Sequence, residues 1–266
     1  PKAGIFYQIN RSDKAYVSIA IANREPSRGN YRDADSDYQP KAERLYDFEM
    51  GLHHQGTTFS ASANIYLMNY KNQLLATGKI NNVGDPIMMN IDKSYRAGIE
   101  ISSLLKLNEK LSWTANFTLS RNKIKNFIQY IDDWDNWNQQ ENVLGETNIL
   151  LSPNQIGSST IQYSPLNNIN ISFISKYVGR QFIDNTSNIY NSIDSYFVND
   201  LNISYLIHPN AIKSIEFNLL ISNLFSEKYE TYGWAYNYIY EGNQKVMDGY
   251  FPMAPINFIL GINVNF

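Results

Sequence analysis

The chain has 266 residues, a formal net charge of −3, no cysteine, and 14% aromatic residues that include 20 tyrosines. A slightly acidic chain offers no basic surface to nucleic acid, so we expect no nucleic-acid partner. The absence of cysteine excludes disulfide bonds, thiolate metal sites and cysteine nucleophiles.

Apolar residues alternate with polar ones in repeated short segments, which predicts β-strands rather than helices. No apolar run reaches the roughly 18 residues of a transmembrane helix, whereas a barrel strand needs only about 9 to 11 residues with alternate apolar positions. We expect about eleven strands. In chain order they lie near residues 3–9, 14–22, 43–54, 57–70, 93–107, 110–124, 154–163, 168–182, 194–207, 213–224 and 255–266.

Short and long connections alternate strictly between these strands. The short ones are rich in turn-forming residues. The long ones mostly exceed the 12 to 15 residues or so that unstructured connections reach in compact soluble domains. Short turns at one end and long loops at the other are typical of outer-membrane barrels. The short connections are 10–14, 54–58, 108–110, 164–168 and 208–213, and the long ones are 23–42, 71–92, 127–153, 183–193 and 225–254.

The segment SWTANFTLSRN, residues 112–122, shows the alternation most clearly. By itself it also suits a soluble β-rich binding module, whose apolar face covers a core. The uneven connections favour a membrane barrel, in which the apolar face meets lipid and the polar face lines a wet lumen. We therefore expect Trp113, Ala115, Phe117 and Leu119 to face lipid, and Ser112, Thr114, Asn116, Thr118 and Ser120 to face the lumen.

The strand count predicts the domain organisation. Bacterial single-chain barrels have an even number of strands because both chain ends lie on the periplasmic side. An odd count of about eleven therefore indicates that strands preceding residue 1 are missing. We expect residues 1–266 to be the C-terminal part of a larger antiparallel transmembrane β-barrel.

Three stretches carry recognisable motifs. SIAIANREPSRGNYRDA (18–34) is a strand entering a loop centred on Arg-Glu-Pro, and NLLISNLFSEKYETYGWAYNYIY (218–240) combines Asn-Leu-Phe, Lys-Tyr and a tyrosine-rich loop. NFILGINVNF (257–266) is a final strand that ends in phenylalanine. With SYRAGIEIS (94–102) and SKYVGRQFIDNT (175–186), they cover nearly the whole chain. Together they resemble TonB-dependent outer-membrane receptors, specifically the siderophore-type receptors of Bacteroidetes.

The resemblance implies a 22-stranded barrel around an N-terminal plug, of which this chain would be the second half without plug and first strands. It implies location in the outer membrane of a Gram-negative bacterium, with the lipid bilayer and a ferric chelate as partners. Uptake of an iron-siderophore-like chelate would be energised by the TonB complex, through a segment missing from this chain. The barrel assembly machinery would read the last strand, which ends in Phe266. A passive porin-like channel, and a haem, cobalamin or oligosaccharide receptor of the same fold, remain alternatives.

Candidate ligand contacts lie in three of the long connections. Arginine pairs well with anionic oxygen groups, and tyrosine and tryptophan offer rigid surfaces for planar ligands. The alternative is structural: arginines that brace a loop through ion pairs, and aromatic residues that form the interfacial girdle. The candidates are Arg24, Arg28 and Tyr31 in the first connection, Trp134 and Trp137 in the third, and Tyr232, Trp234, Tyr236 and Tyr238 in the last.

No catalytic or metal-binding motif is recognisable in the sequence. A nucleophile elbow, a P-loop, a dinucleotide-binding loop and a zinc motif are all absent. His53 and His54 are adjacent on a predicted strand, so they point to opposite faces and cannot share one metal ion. We expect no enzymatic activity, no bound metal and no cofactor.

Overall fold

The computed structural model describes all 266 residues and contains sixteen β-strands and one short α-helix. That helix has five residues, and no helix is long and apolar enough to span a membrane. The elements are β1 (Lys2–Gln8), β2 (Asp13–Arg24), α1 (Arg28–Arg32), β3 (Glu43–Gln55), β4 (Phe59–Ile80), β5 (Pro86–Lys106), β6 (Leu111–Asp133), β7 (Asn138–Asn148), β8 (Gln155–Leu166), β9 (Ile169–Val178), β10 (Gln181–Phe182), β11 (Ser192–Ile193), β12 (Tyr196–Ile207), β13 (Ser214–Ser222), β14 (Glu230–Tyr240), β15 (Asn243–Pro252) and β16 (Asn257–Asn265).

Eleven of these strands form one continuous antiparallel path, β1-β2-β3-β4-β5-β6-β8-β9-β12-β13-β16. Each corresponds to one of the eleven strands predicted from the alternation, so this prediction is confirmed. Every short turn lies at one end of the sheet, which we name the turn end, and every long connection lies at the other, the loop end. The remaining five strands all belong to the long connections.

The long connections are more ordered than the sequence suggests. β4 and β5 extend into the second long connection and pair with each other there as a hairpin. β6 continues to Asp133 and pairs with β7, and β14 pairs with β15. Reading these stretches as unstructured loops was therefore wrong. Hairpins satisfy the backbone hydrogen bonds that a long exposed loop would leave to water.

Two asparagines explain why the sequence pattern ends too early in β4 and β6. Asn72 and Asn126 have positive φ angles of 57° and 56°, a conformation that asparagine tolerates better than most residues. Before Asn126, odd-numbered residues such as Lys125 are exposed, and after it the odd-numbered Phe127 is buried. The two-residue period changes phase there, so a search for strict alternation stops although the strand continues.

Register places the apolar residues on one face of the sheet. Directly opposed residues of antiparallel strands share a face. The polar face carries hydrogen bonds between strands, such as the one that Asn116 Nδ2 donates to Ser158 Oγ at 2.7 Å. One apolar row crosses eight strands through Phe59, Leu105, Trp113, Ile161, Phe173, Leu201, Ile221 and Phe258.

No hydrophobic core covers this apolar face. Only 33 of 266 residues are buried, and the largest buried apolar cluster, around Ile124 and Phe127, lies at the loop end. On the apolar face, Ile19 remains 57% exposed and Leu119 48% exposed. Monomeric soluble proteins rarely expose a contiguous apolar surface of this extent. The structure thus disfavours the soluble binding module, in which this face would be packed.

Arginine substitutions on adjacent residues of β13 test which face meets lipid. Leu219→Arg should destabilise the full-length protein in a bilayer by about 2–4 kcal/mol if Leu219 lies near the midplane, because a charge on the lipid face loses its hydration. Asn218→Arg, on the polar face, is the matched control and should cost far less. Denaturant unfolding from lipid bilayers measures both, and equal costs would contradict the assignment of faces.

Candidate functional site

The last long connection folds back onto the third at the loop end. The end of β14 pairs in parallel with the end of β6, with Tyr238 opposite Asp132 and Ile239 opposite Asp133. The backbone N–H of Trp134 donates to the Ile239 carbonyl at 3.0 Å. Two segments about a hundred residues apart in sequence are thereby brought together above the sheet.

This pairing assembles four aromatic side chains, which we name the aromatic cluster: Trp134, Tyr236, Tyr238 and Tyr240. The Trp134 ring stacks on Tyr238 with centroids 4.3 Å apart, and Tyr238 stacks on Tyr236 at 5.7 Å. Tyr240 meets Trp134 edge-on at 6.5 Å. Trp134 is still 41% exposed, so the cluster presents aromatic surface to solvent.

Tyr236 anchors the cluster through its hydroxyl group. The hydroxyl donates to Asp132 Oδ2 at 2.6 Å and accepts from Trp134 Nε1 at 3.3 Å. Burial, together with the Asp132 carboxylate, raises the pKa of Tyr236 to about 12. The phenol is therefore neutral at physiological pH and offers a hydroxyl dipole rather than a charge.

Aspartates fasten the hairpin that carries the cluster. The carboxylate of Asp135 accepts from the backbone N–H groups of Glu241 and Gly242 at 2.9 and 2.7 Å. These two residues form the β14–β15 turn with positive φ angles, where glycine is the favoured residue. Hydrogen bonds from Asn136 lower the pKa of Asp133, so this carboxylate is ionised. The acidic residues at the end of β6 and just after it thus serve the local structure.

A cavity of about 120 Å³ lies beside the cluster, enclosed by β4, β6, β14 and the residues after β10. Tyr232, Trp234 and Tyr236 form part of its wall. Pockets that enclose a small-molecule ligand usually measure about 300–1,000 Å³. This cavity is too small for a ferric chelate, so a ligand of that size would lie on the exposed aromatic surface above it.

Lys79 contributes a cation to the cavity wall that the sequence analysis missed. Its ammonium group is 2.6 Å from the Asp35 carboxylate and lies over the Tyr130 ring, 4.5 Å from the centroid. The side chain is only 15% exposed. It links the first long connection to β6, but its place within a predicted loop gave no signal of this role.

The sequence analysis also missed the polar groups that join the other loops. Asp184 accepts from Asn191 Nδ2 at 2.6 Å, and the Asn185 side chain bonds both Leu150 N and the Ala76 carbonyl. Tyr240 was recognisable only as part of a tyrosine-rich stretch, and Asp132 as part of an acidic one. Their partners lie far away in sequence, so no local spacing identifies them.

The predicted residues of the first connection lie apart from the cluster. Arg24 forms an ion pair with Glu43 at 2.8 Å, and Glu43 also accepts from the backbone N–H of Leu74. This is the loop-bracing arrangement that the sequence analysis kept as its alternative. Arg28 and Tyr31 lie on α1, and both are exposed.

Trp137 is the most exposed aromatic residue among the candidates. It lies in the turn between β6 and β7 with a φ of 53°, and it is 91% exposed. It contacts none of the four cluster rings at stacking distance. Of the nine predicted residues, the structure brings together Trp134, Tyr236 and Tyr238 in the cluster, and Tyr232 and Trp234 beside them in the cavity wall.

No group of three or more His, Cys, Asp or Glu side chains is placed to hold a metal ion. The residues that converge at the loop end are aromatic rings, neutral hydroxyl groups and side-chain amides, with the partly buried Lys79 as the cation and Asp184 as the carboxylate of the cavity wall. Such a surface stacks on planar groups and forms hydrogen bonds with ligand oxygen atoms.

Comparison with known families identifies one match. The model described as TonB dependent receptor-like, beta-barrel matches residues 1–224. No curated protein sequence matches the chain significantly.

Solved structures share the fold at low sequence identity. The siderophore receptor PiuA from Acinetobacter baumannii aligns over 100% of this chain and 35% of its own, with 16% identity and a TM-score of 0.76. The ferric-catecholate import receptor Fiu from E. coli K12, in its closed form, aligns over 100% and 34%, with 19% identity and a TM-score of 0.69. The copper transporter OprC aligns over 100% and 38%, with 13% identity and a TM-score of 0.72. The chain thus spans about a third of the length of these proteins.

An alkaline titration tests the environment of Tyr236. Subtracting the absorbance titration of Tyr236→Phe from that of the unchanged full-length protein should isolate one phenol with a midpoint near 12. Because the pKa is raised on folding, its stabilising contribution is complete below the usual value of 10.0 and is lost as pH rises toward 12. Asp132→Asn should move the midpoint toward 10.0, and a midpoint already at 10.0 in the unchanged protein would contradict the described contacts.

Proposed function

Because the chain belongs to the TonB-dependent receptor β-barrel family, we propose that it forms barrel wall and ligand-contacting loops of an outer-membrane receptor. This receptor takes up an iron-siderophore-like chelate with energy supplied through TonB. The family and fold support a transporter or receptor rather than an enzyme. Fold alone does not select the cargo, since iron-chelate receptors and a copper transporter share it.

The aromatic cluster is the observation that carries the proposed cargo. Stacked rings at 4.3 Å between Trp134 and Tyr238 leave aromatic surface open at the loop end, where an arriving ligand meets the protein. Aromatic stacking favours a chelate with aryl groups. Arg28 is exposed and forms no ion pair, so its guanidinium group is available to anionic oxygen atoms of the chelate.

The exposed apolar face supports the membrane location. We place this face against the lipid of the outer membrane of a Gram-negative bacterium, with the loop end outside the cell. Longer loops on the outer side and short turns on the periplasmic side are typical of outer-membrane barrels. The terminal strand β16, followed by Phe266, is the segment that we propose the assembly machinery recognises.

The sheet has two free edges, because β1 and β16 each pair with one strand only. Unpaired backbone groups are costly in a membrane, so spanning sheets close into barrels. We therefore propose that further strands of the same receptor complete the barrel, and that a plug domain and a TonB-binding segment belong to that larger protein.

Energy dependence distinguishes the receptor from a passive channel. Cells that produce the full-length receptor should accumulate a radioactive ferric siderophore, and accumulation should stop when TonB is deleted. A porin-like channel would let the chelate enter at the same rate in both strains, which would contradict the proposal.

The two tryptophans of the third connection provide a matched test of the ligand site. The double substitution Trp134→Ala/Tyr238→Ala should weaken chelate binding about tenfold, since aromatic pairs contribute about 0.5–1.5 kcal/mol each. Trp137→Ala removes the same ring from an isolated position and should leave binding unchanged. Fluorescence titration with ferric catecholate, hydroxamate and citrate chelates, haem and cobalamin measures both variants.

These titrations also separate the possible cargoes. Tight binding of haem or cobalamin alone would identify the receptor with one of those alternatives. No loss in the Trp134→Ala/Tyr238→Ala variant would show that the cluster serves loop packing and not recognition. Equal loss in that variant and in Trp137→Ala would contradict the assignment of recognition to the cluster.

A further inference from the structure

Four cations lie side by side on the apolar face of the sheet, close to the loop end. Under the proposed function this is the outer face of the barrel. Arg44 of β3 is directly opposite Lys71 of β4, Lys71 is opposite Lys93 of β5, and Lys93 is opposite Lys125 of β6. All four side chains are exposed. We name this row the cation ladder. With neighbouring strands about 4.8 Å apart, it spans roughly 14 Å.

Directly opposed like charges destabilise a sheet. None of the four cations forms an ion pair within the chain, whose six ion pairs all involve other residues. The nearest polar contacts are neutral: Arg44 Nε donates to Asn23 Oδ1 at 3.0 Å, and Lys125 lies 5.5 Å from the Tyr95 ring centroid. Four adjacent positive charges that form no ion pair within the chain are available to an external anion.

The rows of residues between the ladder and the turn end show where the ladder lies relative to the apolar band of the sheet. Toward the turn end, the next row contains Tyr46, Asn69, Tyr95 and Lys123, and the row after it contains Phe48, Leu67, Ala97 and Arg121. Two wholly apolar rows follow. They consist of Met50, Ile65, Ile99 and Leu119, and of Leu52, Ala63, Ile101 and Phe117.

This order matches the layers of a membrane surface. Aromatic residues of barrel proteins border the apolar band at the height of the lipid headgroups. The row that contains Tyr46 and Tyr95 lies just outside the row of Phe48 and Leu67, and the ladder lies one row further out. Lys71 and Lys125 each precede an asparagine with positive φ, Asn72 and Asn126, where the alternation of faces ends. The ladder is therefore the last row of the regular outer face.

A groove of about 460 Å³ accompanies the ladder. Lys71, Lys93 and Lys125 line it together with Tyr46 and Tyr95. Asp92 also borders the groove but forms no ion pair with these lysines. Three ammonium groups around one open groove suit a phosphate group, for which lysine is a common partner.

We propose that the cation ladder binds the phosphate groups of a phosphorylated glycolipid in the leaflet on the loop side of the membrane. The lipid's acyl chains would lie along the apolar rows below, and its headgroup phosphates would enter the groove. The inference rests on the membrane location under the proposed function, but it is independent of the cargo and of TonB.

Substitution of three lysines tests the proposal. The full-length receptor, purified in nonionic detergent, is titrated with phosphorylated glycolipid from the outer membrane, and bound lipid is counted by native mass spectrometry. Near an anionic surface each lysine strengthens binding about fivefold, so Lys71→Gln/Lys93→Gln/Lys125→Gln should raise the dissociation constant roughly 100-fold. The corresponding triple arginine variant keeps the charges and should retain binding.

Three controls make the result specific. Lys106→Gln/Lys110→Gln/Lys213→Gln removes three exposed lysines near the turn end and should not change binding. The same lipid without its phosphate groups should bind weakly to the unchanged receptor. Inorganic phosphate should not displace the lipid, because the site also needs the acyl chains.

Unchanged lipid binding by the glutamine variant would overturn the proposal. So would equal loss in the turn-end control, equal binding of the dephosphorylated lipid, or displacement by inorganic phosphate. If the triple variant fails to fold, Lys93→Gln alone should still weaken binding about fivefold. Fractionation and chelate uptake of the unchanged receptor test the proposed function separately, and uptake by the folded glutamine variant should remain normal.

Discussion

The register between neighbouring antiparallel strands is the constraint on which the rest of the structure depends. Of 155 backbone hydrogen bonds, 129 lie within helices and strands, so the sheet satisfies most of its own polar groups. A fixed register sends alternate side chains to opposite faces of the sheet. Both the apolar rows and the polar rows follow from this, although no core lies beneath either face.

Two strands of the sheet, β4 and β6, also build the packed structure at the loop end. β4 and β6 pass through Asn72 and Asn126 with positive φ angles, and their side chains then change faces. Around this point, on both sides of Asn126, Ile124, Phe127 and neighbouring apolar residues bury one another and support the loops. The outer surface and the loop assembly are thus parts of the same strands, divided by a local backbone conformation.

Electrostatics differs between the two surfaces at the loop end. Above the sheet, the aspartate carboxylates accept hydrogen bonds from backbone and side-chain N–H groups, and Tyr236 stays neutral. The surface there is therefore mainly aromatic and uncharged. On the outer face, the four cations of the ladder form no ion pair within the chain. A ligand arriving from solution and a lipid arriving from the side would therefore meet different chemistry, which allows the two surfaces to be specific for different partners.

The sequence by itself determined the eleven strands of the sheet, its alternating faces and the division into turn end and loop end, because these features are periodic and local. It also marked Trp134 and the tyrosines near Tyr236 as candidates through their local density. It did not show that Trp134 stacks on Tyr238, that Asp132 bonds Tyr236, or that Lys79 pairs with Asp35. Only the tertiary structure decided these contacts, because each joins segments between about 40 and 105 residues apart whose approach depends on how the hairpins pack.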